Sequence, residues 1–565
     1  MANSGVTESE YAHAQAVFRE FGCKNMLDFC ELYCKSDVLL LAECFLSFRN
    51  EVIQEFELDP VHYISLPQLA FDCMLKMTQV SIECLTDIDM ILFLESNVRG
   101  GVSFISQRHC EVPEPSVAKP SDPKLLYIDA NNLYGYSQSC PQPVGLYRWL
   151  TEEEIEAKEW ESYDDHGDVG YILEVDLEYP RKLHKSHNSL PLAPHRMTID
   201  ESHLSDFSKK CLLEIKGKTK HESVKLASTF LPRKNYAIHC ANLQLYLELG
   251  MTLTKVHRVL RYVQSDFLKK YIDFCTAKRA ASKSEFRKRL FKAFSNSNFG
   301  KFIEKTRDHL DCHIVSDKNQ FQKWVACPRY SSFKVLAPDV VAVFLKRPYV
   351  LMKQAWAIGF TILERSKELV YRHYYQNILP ALEGKCSVAF TDTDSLCLSV
   401  TADLTMDQVL DRLEPLMDYS NYPSNHKRFC PTRKNQLGYW KDENMGSTMV
   451  EFVGLSSKTY AMRVAQLDDG KIISSSKCKG VGKGFRKRIP FEEYKKCIVG
   501  INQHRVNQYA IRAQDHQIRT VKMNRTCFSS FDDKRYCLPC GKHTLAYGSK
   551  WIAVCEKHKR CMFCK

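Results

Sequence analysis

The segment Phe390-Thr391-Asp392-Thr393-Asp394-Ser395 places two carboxylates two residues apart, with apolar residues before it (Val388, Ala389) and an alternating Leu396, Leu398, Val400 after it. That alternation predicts a hairpin with both acids at its tip. Carboxylates so close repel one another unless cations neutralise them. An isolated Asp-Thr-Asp is more often an ordinary acidic turn, so the reading needs partners. One is Tyr127-Ile128-Asp129-Ala130-Asn131-Asn132-Leu133-Tyr134, where an apolar strand delivers Asp129 at its C-terminal end, a suitable place for a metal ligand from a second strand. Another is Lys292-Ala293-Phe294-Ser295-Asn296-Ser297-Asn298-Phe299-Gly300. On a helix Lys288, Lys292, Asn296 and Phe299 share one face. A core stripe would be apolar and a solvent face would lack Phe299. The combination suits a nucleotide, with the cation on phosphate and the ring against base or sugar.

Taken together and in this order, the three segments resemble motifs A, B and C of family B DNA polymerases. The pattern Lys-x-x-x-Asn-Ser-x-Tyr-Gly is met at Lys292, Asn296, Ser297 and Gly300, with Phe299 for tyrosine. Tyr-x-Asp-Thr-Asp-Ser is met from Asp392 to Ser395, with Phe390 for tyrosine. Lys458-Thr459-Tyr460 resembles the Lys-x-Tyr motif that holds the primer strand. Arg99-Gly100-Gly101, the segment Asp129 to Gly135, Phe531 to Tyr536 and Thr544 to Gly548 resemble the protein-primed polymerases of Maverick (Polinton) elements and related viruses. Two departures stand out: Val98 replaces the tyrosine of the template-contacting Tyr-x-Gly-Gly motif, and Gly135 replaces a proline.

The resemblance implies an α+β right hand of palm, fingers and thumb that adds dNTPs to a primer 3′ hydroxyl. Asp129 and Asp394 would bridge two Mg²⁺ ions, with Asp392 in support, since hard carboxylate oxygens favour that metal. Lys292 would bind the triphosphate, assisted by Arg279 or Lys278. Tyr134 would lie under the sugar and exclude a 2′-hydroxyl. Arg99, Gly100, Gly101, Lys458, Tyr460 and Lys483 would contact DNA. Primed template, dNTPs and a terminal priming protein are the implied partners. The core motifs do not separate protein priming from RNA priming. A catalytically decayed, element-derived DNA-binding protein is the rival reading, opposed by the presence of all three acids and Lys292.

The elements that must position these residues are coarsely legible. The expected division is an exonuclease-domain remnant and connector (1–95), palm with a polar insertion (96–240, the insertion at 151–235), fingers (241–300), a second insertion (301–345), palm again (346–465), and a thumb with a basic, cysteine-rich end (466–565). Asn25 to Arg49 reads as an amphipathic helix with Leu39, Leu40, Leu41, Cys44, Phe45 and Phe48 as its apolar stripe. Helical patterns cover 241–249 and 266–299. Tyr33-x-x-x-Asp37 fits the third exonuclease motif, but the 32 residues before it hold no Asp-x-Glu, so the chain as given is expected not to proofread.

Composition agrees with a soluble polyanion-binding enzyme. The 565 residues suggest roughly three or four domains, and 44% are hydrophobic. Net charge is +12, with basic residues crowded at 278–292 and 477–488, the latter interleaved with Gly480, Gly482 and Gly484. No run approaches the roughly 20 apolar residues of a membrane span. Without a visible signal peptide, the 24 cysteines are expected in a reducing compartment, nucleus or cytoplasm, mostly as free thiols. Cys537-x-x-Cys540 and Cys561-x-x-Cys564 have zinc-ribbon spacing, with Cys555 and His558 as spare ligands.

Overall fold

The apolar run Leu125-Leu126-Tyr127-Ile128 becomes the middle of a sheet covered on both faces. In the computed structural model, which describes residues 6–162, 167–514, 517–558, 561, 563 and 564, strand β2 (Lys124–Ala130) is buried at every position except Asp129. It lies in a mixed-order sheet with β1 (Ser103–Ile105), β3 (Cys386–Asp392), β4 (Ser395–Val400), β5 (Thr448–Ser456), β6 (Thr459–Ala465) and β7 (Ile472–Cys478), arranged β1-β3-β4-β2-β5-β6-β7. Alternate residues feed opposite cores. Leu126, Ile128, Val388, Leu396 and Leu398 pack under the helix Trp356–Arg372 through Leu369 and Val370. Leu125, Tyr127, Phe390 and Cys397 pack against Phe452, Tyr460 and Met462 on the other side.

The helical region forms a separate core. Helices α4 (Phe267–Ala281) and α5 (Glu285–Phe302) pack on α2 (Leu66–Thr78) and on the end of the long helix α1 (Met26–Phe56) through Phe56, Phe291, Phe294 and Tyr271. Helix α3 (Leu133–Ser139) follows β2 directly and joins the two cores. Only Val52 and Phe56 of α1 are buried. The expected stripe around Leu39, Leu40, Leu41 and Phe45 is exposed instead, as are Tyr33 and Asp37. None of the helices among the described residues is long and apolar enough to cross a membrane.

The segment 151–235, expected as a polar insertion, contributes two strands to a second sheet. Val169–Glu178 and Arg233–His239 pair in the order Gln142–Trp149, Thr252–Ser265, Val169–Glu178, Arg233–His239. The polarity that suggested an insertion lies between those strands, in the hairpin His195–Asp200 with Glu222–Ala227 and the helix Asp206–Lys216. Residues 301–345 form a small three-stranded sheet and the helix Lys318–Val325 around Val315, Val343 and Leu345.

Charge is buried beneath the sheet. The helix Trp356–Arg372, here α6, buries Glu364, Arg365, Ser366, Lys367 and Glu368 along with its apolar residues. Arg99 supplies part of the compensation. Its guanidinium lies 3.5 Å from Glu364, 3.8 Å over the Tyr236 ring, and donates to the Ala237 carbonyl. Lys367 Nζ donates to the Arg99 carbonyl at 2.9 Å. Arg99, expected on DNA, is therefore enclosed within the fold. Removing one partner of a buried pair typically costs roughly 3–5 kcal/mol. Arg99→Ala is expected to lower the melting temperature strongly while leaving the salt dependence of DNA binding unchanged. A stable variant whose log–log salt slope fell by about 0.9, the share of one phosphate contact, would return Arg99 to the DNA surface.

Candidate active site

Strand register brings the acids together. Ser395 of β4 pairs with Asp129 of β2, and the Ala130 N–H donates to the Asp394 carbonyl at 2.7 Å. The β3–β4 turn is tight: the Asp394 N–H reaches the Asp392 carbonyl at 2.9 Å, and Thr393 sits in the left-handed region at φ 69°. Its N–H is held by the Val102 carbonyl at 2.8 Å. A Cβ on Gly101 would lie 2.3 Å from Thr393 Cγ2, so only glycine admits this turn so close. Gly101, expected to touch DNA, thus seats the acidic turn, while Gly100 beside it is exposed.

The electrostatics are strained in one direction. Burial, then the charges of Asp394 and Glu443, push the Asp129 carboxyl up to about 8, with Lys477 and Lys292 opposing. Burial and Asp392 also raise Asp394, opposed by Lys477 and Lys458. Burial, with Asp442 and Asp394, raises Glu443 while Lys477 opposes it. Asp392 is better compensated, since Lys458 Nζ stands 3.2 Å from its Oδ1. Asp129, Asp394 and Glu443 therefore form a site short of positive charge, built of hard oxygens suited to a divalent cation.

Helix α5 forms the facing wall. Lys292 is exposed there, without an ion-pair partner among the described residues, and close enough to act on Asp129. Phe299 stacks on Tyr134 with ring centroids 4.7 Å apart and planes 9° apart. Burial and Asp394 push the Tyr134 phenol up to about 12, which keeps it a neutral ring. Asn132 Nδ2 donates to Ser295 Oγ at 3.3 Å and Gln138 Nε2 to the Ser295 carbonyl at 3.0 Å, pinning α5 to α3. Asn296 is half-buried beside them. Gly135 now has a reason. Its N–H donates to Asn132 Oδ1 at 3.1 Å, and a Cβ would meet Asn132 Nδ2 at 2.2 Å, so a proline fits neither requirement. Of the paired candidates, Lys278 is tied to Glu55 and Arg279 is half-buried, its pKa lowered by burial.

Several placements differ from the sequence reading. The Tyr460 side chain is buried, its hydroxyl 3.2 Å from that of Tyr127 and its ring 4.6 Å from Phe390. It supports the turn from below and is not open to DNA. Phe390 fills the tyrosine position by stacking on Phe452 at 4.9 Å. Lys458, at a tight turn with φ 62°, and Lys483 are exposed. Lys477, Glu443 and Lys441 were missed as site residues. Lys477 stood only as one member of a basic run. Glu443 and Lys441 follow Trp440, and nothing local in the sequence says that Lys441 will pair with Asp129. At the C-terminus, Cys540, Cys561 and Cys564 cluster with His543 and not with Cys537. Cys537 is fully buried and its thiol pushed up by burial.

A pH prediction follows from Asp129. An unfolded Asp titrates near 3.9 and the folded one near 8. The metal-free fold therefore has this group's contribution in full below about pH 4 and loses it as pH rises through about 8. Metal-free protein is expected to lose melting temperature between about pH 4 and 8. Asp129→Asn should flatten that loss, and Mg²⁺ should restore the wild type by holding the ionised carboxylate. Equal pH profiles for the two proteins without metal would contradict the assignment.

The sequence profile of the family described as DNA polymerase type B, organellar and viral, matches residues 19–323, over half of the chain. No curated protein sequence matches. Among solved structures, the DNA polymerase of phi29 in an orthorhombic crystal form is similar with a TM-score of 0.53 and 16% identity, over 93% of this chain and 73% of that one. The phi29 enzyme complexed with primer-template DNA, in a post-translocation binary complex, is similar at TM-score 0.52 and 16% identity, over 92% and 73%. Its ternary complex with primer-template DNA and incoming nucleotide substrates gives 0.50 and 16%, over 82% and 68%. Identity this low establishes the right-hand fold alone. The family match carries more: the chain is a DNA-directed DNA polymerase of the organellar and viral type B family.

Proposed function

We propose that Asp129 and Asp394 are the ligands around which this chain adds dNTPs to a primer 3′ hydroxyl, in protein-primed replication of a viral or transposon-like DNA. The observation that carries the reading is the β2–β4 register, which sets two under-compensated carboxylates side by side. Their hard oxygens and raised pKa values fit Mg²⁺. Held by these carboxylates, two such ions would supply charge neutralisation to the attacking and leaving oxygens. The protein's own share is positioning. Lys458 neutralises Asp392, leaving Asp129 and Asp394 free for cations. Lys292, unpaired on the opposite wall, receives the triphosphate, with Arg279 on the neighbouring helix. The stacked Tyr134–Phe299 pair forms a platform under the sugar, and a 2′-hydroxyl would clash with the Tyr134 ring. Lys477 and Lys483, in the basic run 477–488, contribute positive charge for the phosphates of the DNA.

Priming by a terminal protein rests on the Maverick-like motifs. A labelled nucleotide recovered covalently on a protein hydroxyl supports it, and incorporation onto oligonucleotide primers alone opposes it. The rival reading, a DNA-binding protein without catalysis, separates in one assay. With Mg²⁺ and dNTPs on a primed template, wild type is expected to extend the primer. Asp394→Ala should lose at least about a thousandfold in rate, since one uncompensated ligand loss removes several kcal/mol of charge stabilisation. Binding without extension by wild type favours the rival. In the same assay Tyr134→Ala is expected to raise rNTP use relative to dNTP. An unchanged ratio removes Tyr134 from sugar selection.

A further inference from the structure

The Cys540, His543, Cys561 and Cys564 side chains meet far along the chain from the polymerase acids. His543 Nδ1 lies 3.5 Å from Cys540 Sγ, 3.5 Å from Cys561 Sγ and 3.6 Å from Cys564 Sγ. The four ligand atoms all fall within 4.8 Å of one another. Hydrogen bonding does not account for the set. A neutral imidazole nitrogen carries at most one proton, so it cannot donate to three sulfurs at once. The separations match another geometry. A tetrahedral zinc ion with Zn–S of about 2.3 Å and Zn–N of about 2.0–2.1 Å holds each sulfur about 3.6 Å from the nitrogen.

We infer that Cys540, His543, Cys561 and Cys564 bind a structural Zn²⁺ ion, closed by four protein ligands. Three thiolates and an imidazole in tetrahedral array select zinc over the hard cations that suit Asp129 and Asp394. Half of the site is prebuilt. Cys540 and His543 sit on the loop between Tyr536–Cys537 and Thr544–Leu545, where Gly541 takes the left-handed turn at φ 68°. That loop is fastened to the palm. The buried Arg108 guanidinium donates to the Gly541 carbonyl at 3.1 Å and the Ser530 carbonyl at 2.8 Å, and the Arg108 N–H donates to the Lys542 carbonyl at 2.7 Å. Cys561 and Cys564 come from beyond the helix Trp551–His558. The ion therefore ties the chain end to the palm. The segment that carries Arg108 is itself held to the strand of the acids: the N–H groups of Ser106 and Gln107 both donate to the Ala389 carbonyl, three residues before Asp392. The Cys537-containing set expected from spacing is excluded because the fully buried Cys537 thiol turns to the Arg535 carbonyl and stands outside the group of four ligand atoms.

The test is metal analysis of the full chain purified without chelator. Wild type is expected to carry one equivalent of zinc, and its cobalt-exchanged form the intense visible bands of tetrahedral cobalt thiolate. Cys564→Ser, at an exposed position that leaves packing intact, and His543→Ala should each fall below about half an equivalent after dialysis against a competing chelator. Cys537→Ala should keep its zinc. Chelator should lower the melting temperature of wild type and of Cys537→Ala, and not that of Cys564→Ser. Wild type with less than about half an equivalent, or a mass lighter by two hydrogens from a disulfide, overturns the proposal. So does zinc lost from Cys537→Ala and retained by His543→Ala.

Discussion

Repulsion between Asp129 and Asp394 is the constraint around which the palm is arranged. Backbone pairing of β2 with β4 sets the two residues side by side. Everything nearby either permits that arrangement or tempers it. Gly101 lets Thr393 adopt its left-handed turn, and Val102 holds the turn's N–H. Tyr460, Phe390 and Tyr127 fill the space beneath with rings. Lys458, in the turn before β6, reaches Asp392, and Lys477 of β7 supplies part of the missing positive charge at Asp129. What remains unneutralised is a demand for cations, which folding alone does not meet.

The same logic operates out of solvent. Helix α6 carries Glu364, Arg365, Lys367 and Glu368 into the interior, where each charge needs a partner. Arg99 answers for Glu364 and is itself braced by Tyr236 and the Ala237 carbonyl. The loop before β1 is thereby anchored at Arg99, two residues before Gly101. A residue deep under the sheet thus helps set the acidic turn. The wall facing the acids is fastened separately, through Asn132 and Gln138 to Ser295, which keeps Tyr134 against Phe299.

Much of the acidic strand–turn–strand was legible in the sequence because its signal is local: period-two apolar residues ending in acids dictate a hairpin whatever surrounds it. The Lys292–Phe299 face was legible for the same reason, since helical spacing alone puts its members together. Arg99 and Tyr460 were misread because a motif says which residues recur and not which way a side chain points. Their burial depends on Glu364 and Phe390, more than two hundred and about seventy residues away in sequence respectively. The burial of the charges in α6 has no local mark in the sequence and comes from packing of the helix within the fold. Likewise the cysteine spacing indicated a metal cluster, but local pairing of Cys537 with Thr544 turns that thiol inward and presents His543 instead. Polar composition at 151–235 hid the core strand Val169–Glu178, because the strands on either side of it, Thr252–Ser265 and Arg233–His239, lie beyond the segment or at its very end.

The central claim is that the adjacent Asp129 and Asp394 carboxylates hold a pair of divalent ions. Manganese is the direct probe, observed by electron paramagnetic resonance in the complex of this chain with a dideoxy-terminated primer, template and matching dNTP. The account requires two bound Mn²⁺ per chain with the spin coupling of ions about 3.5–4 Å apart, and loss of that coupling in Asp129→Asn and in Asp394→Asn. A coupled pair that persists in both variants, or a wild type that binds only isolated ions, would contradict it.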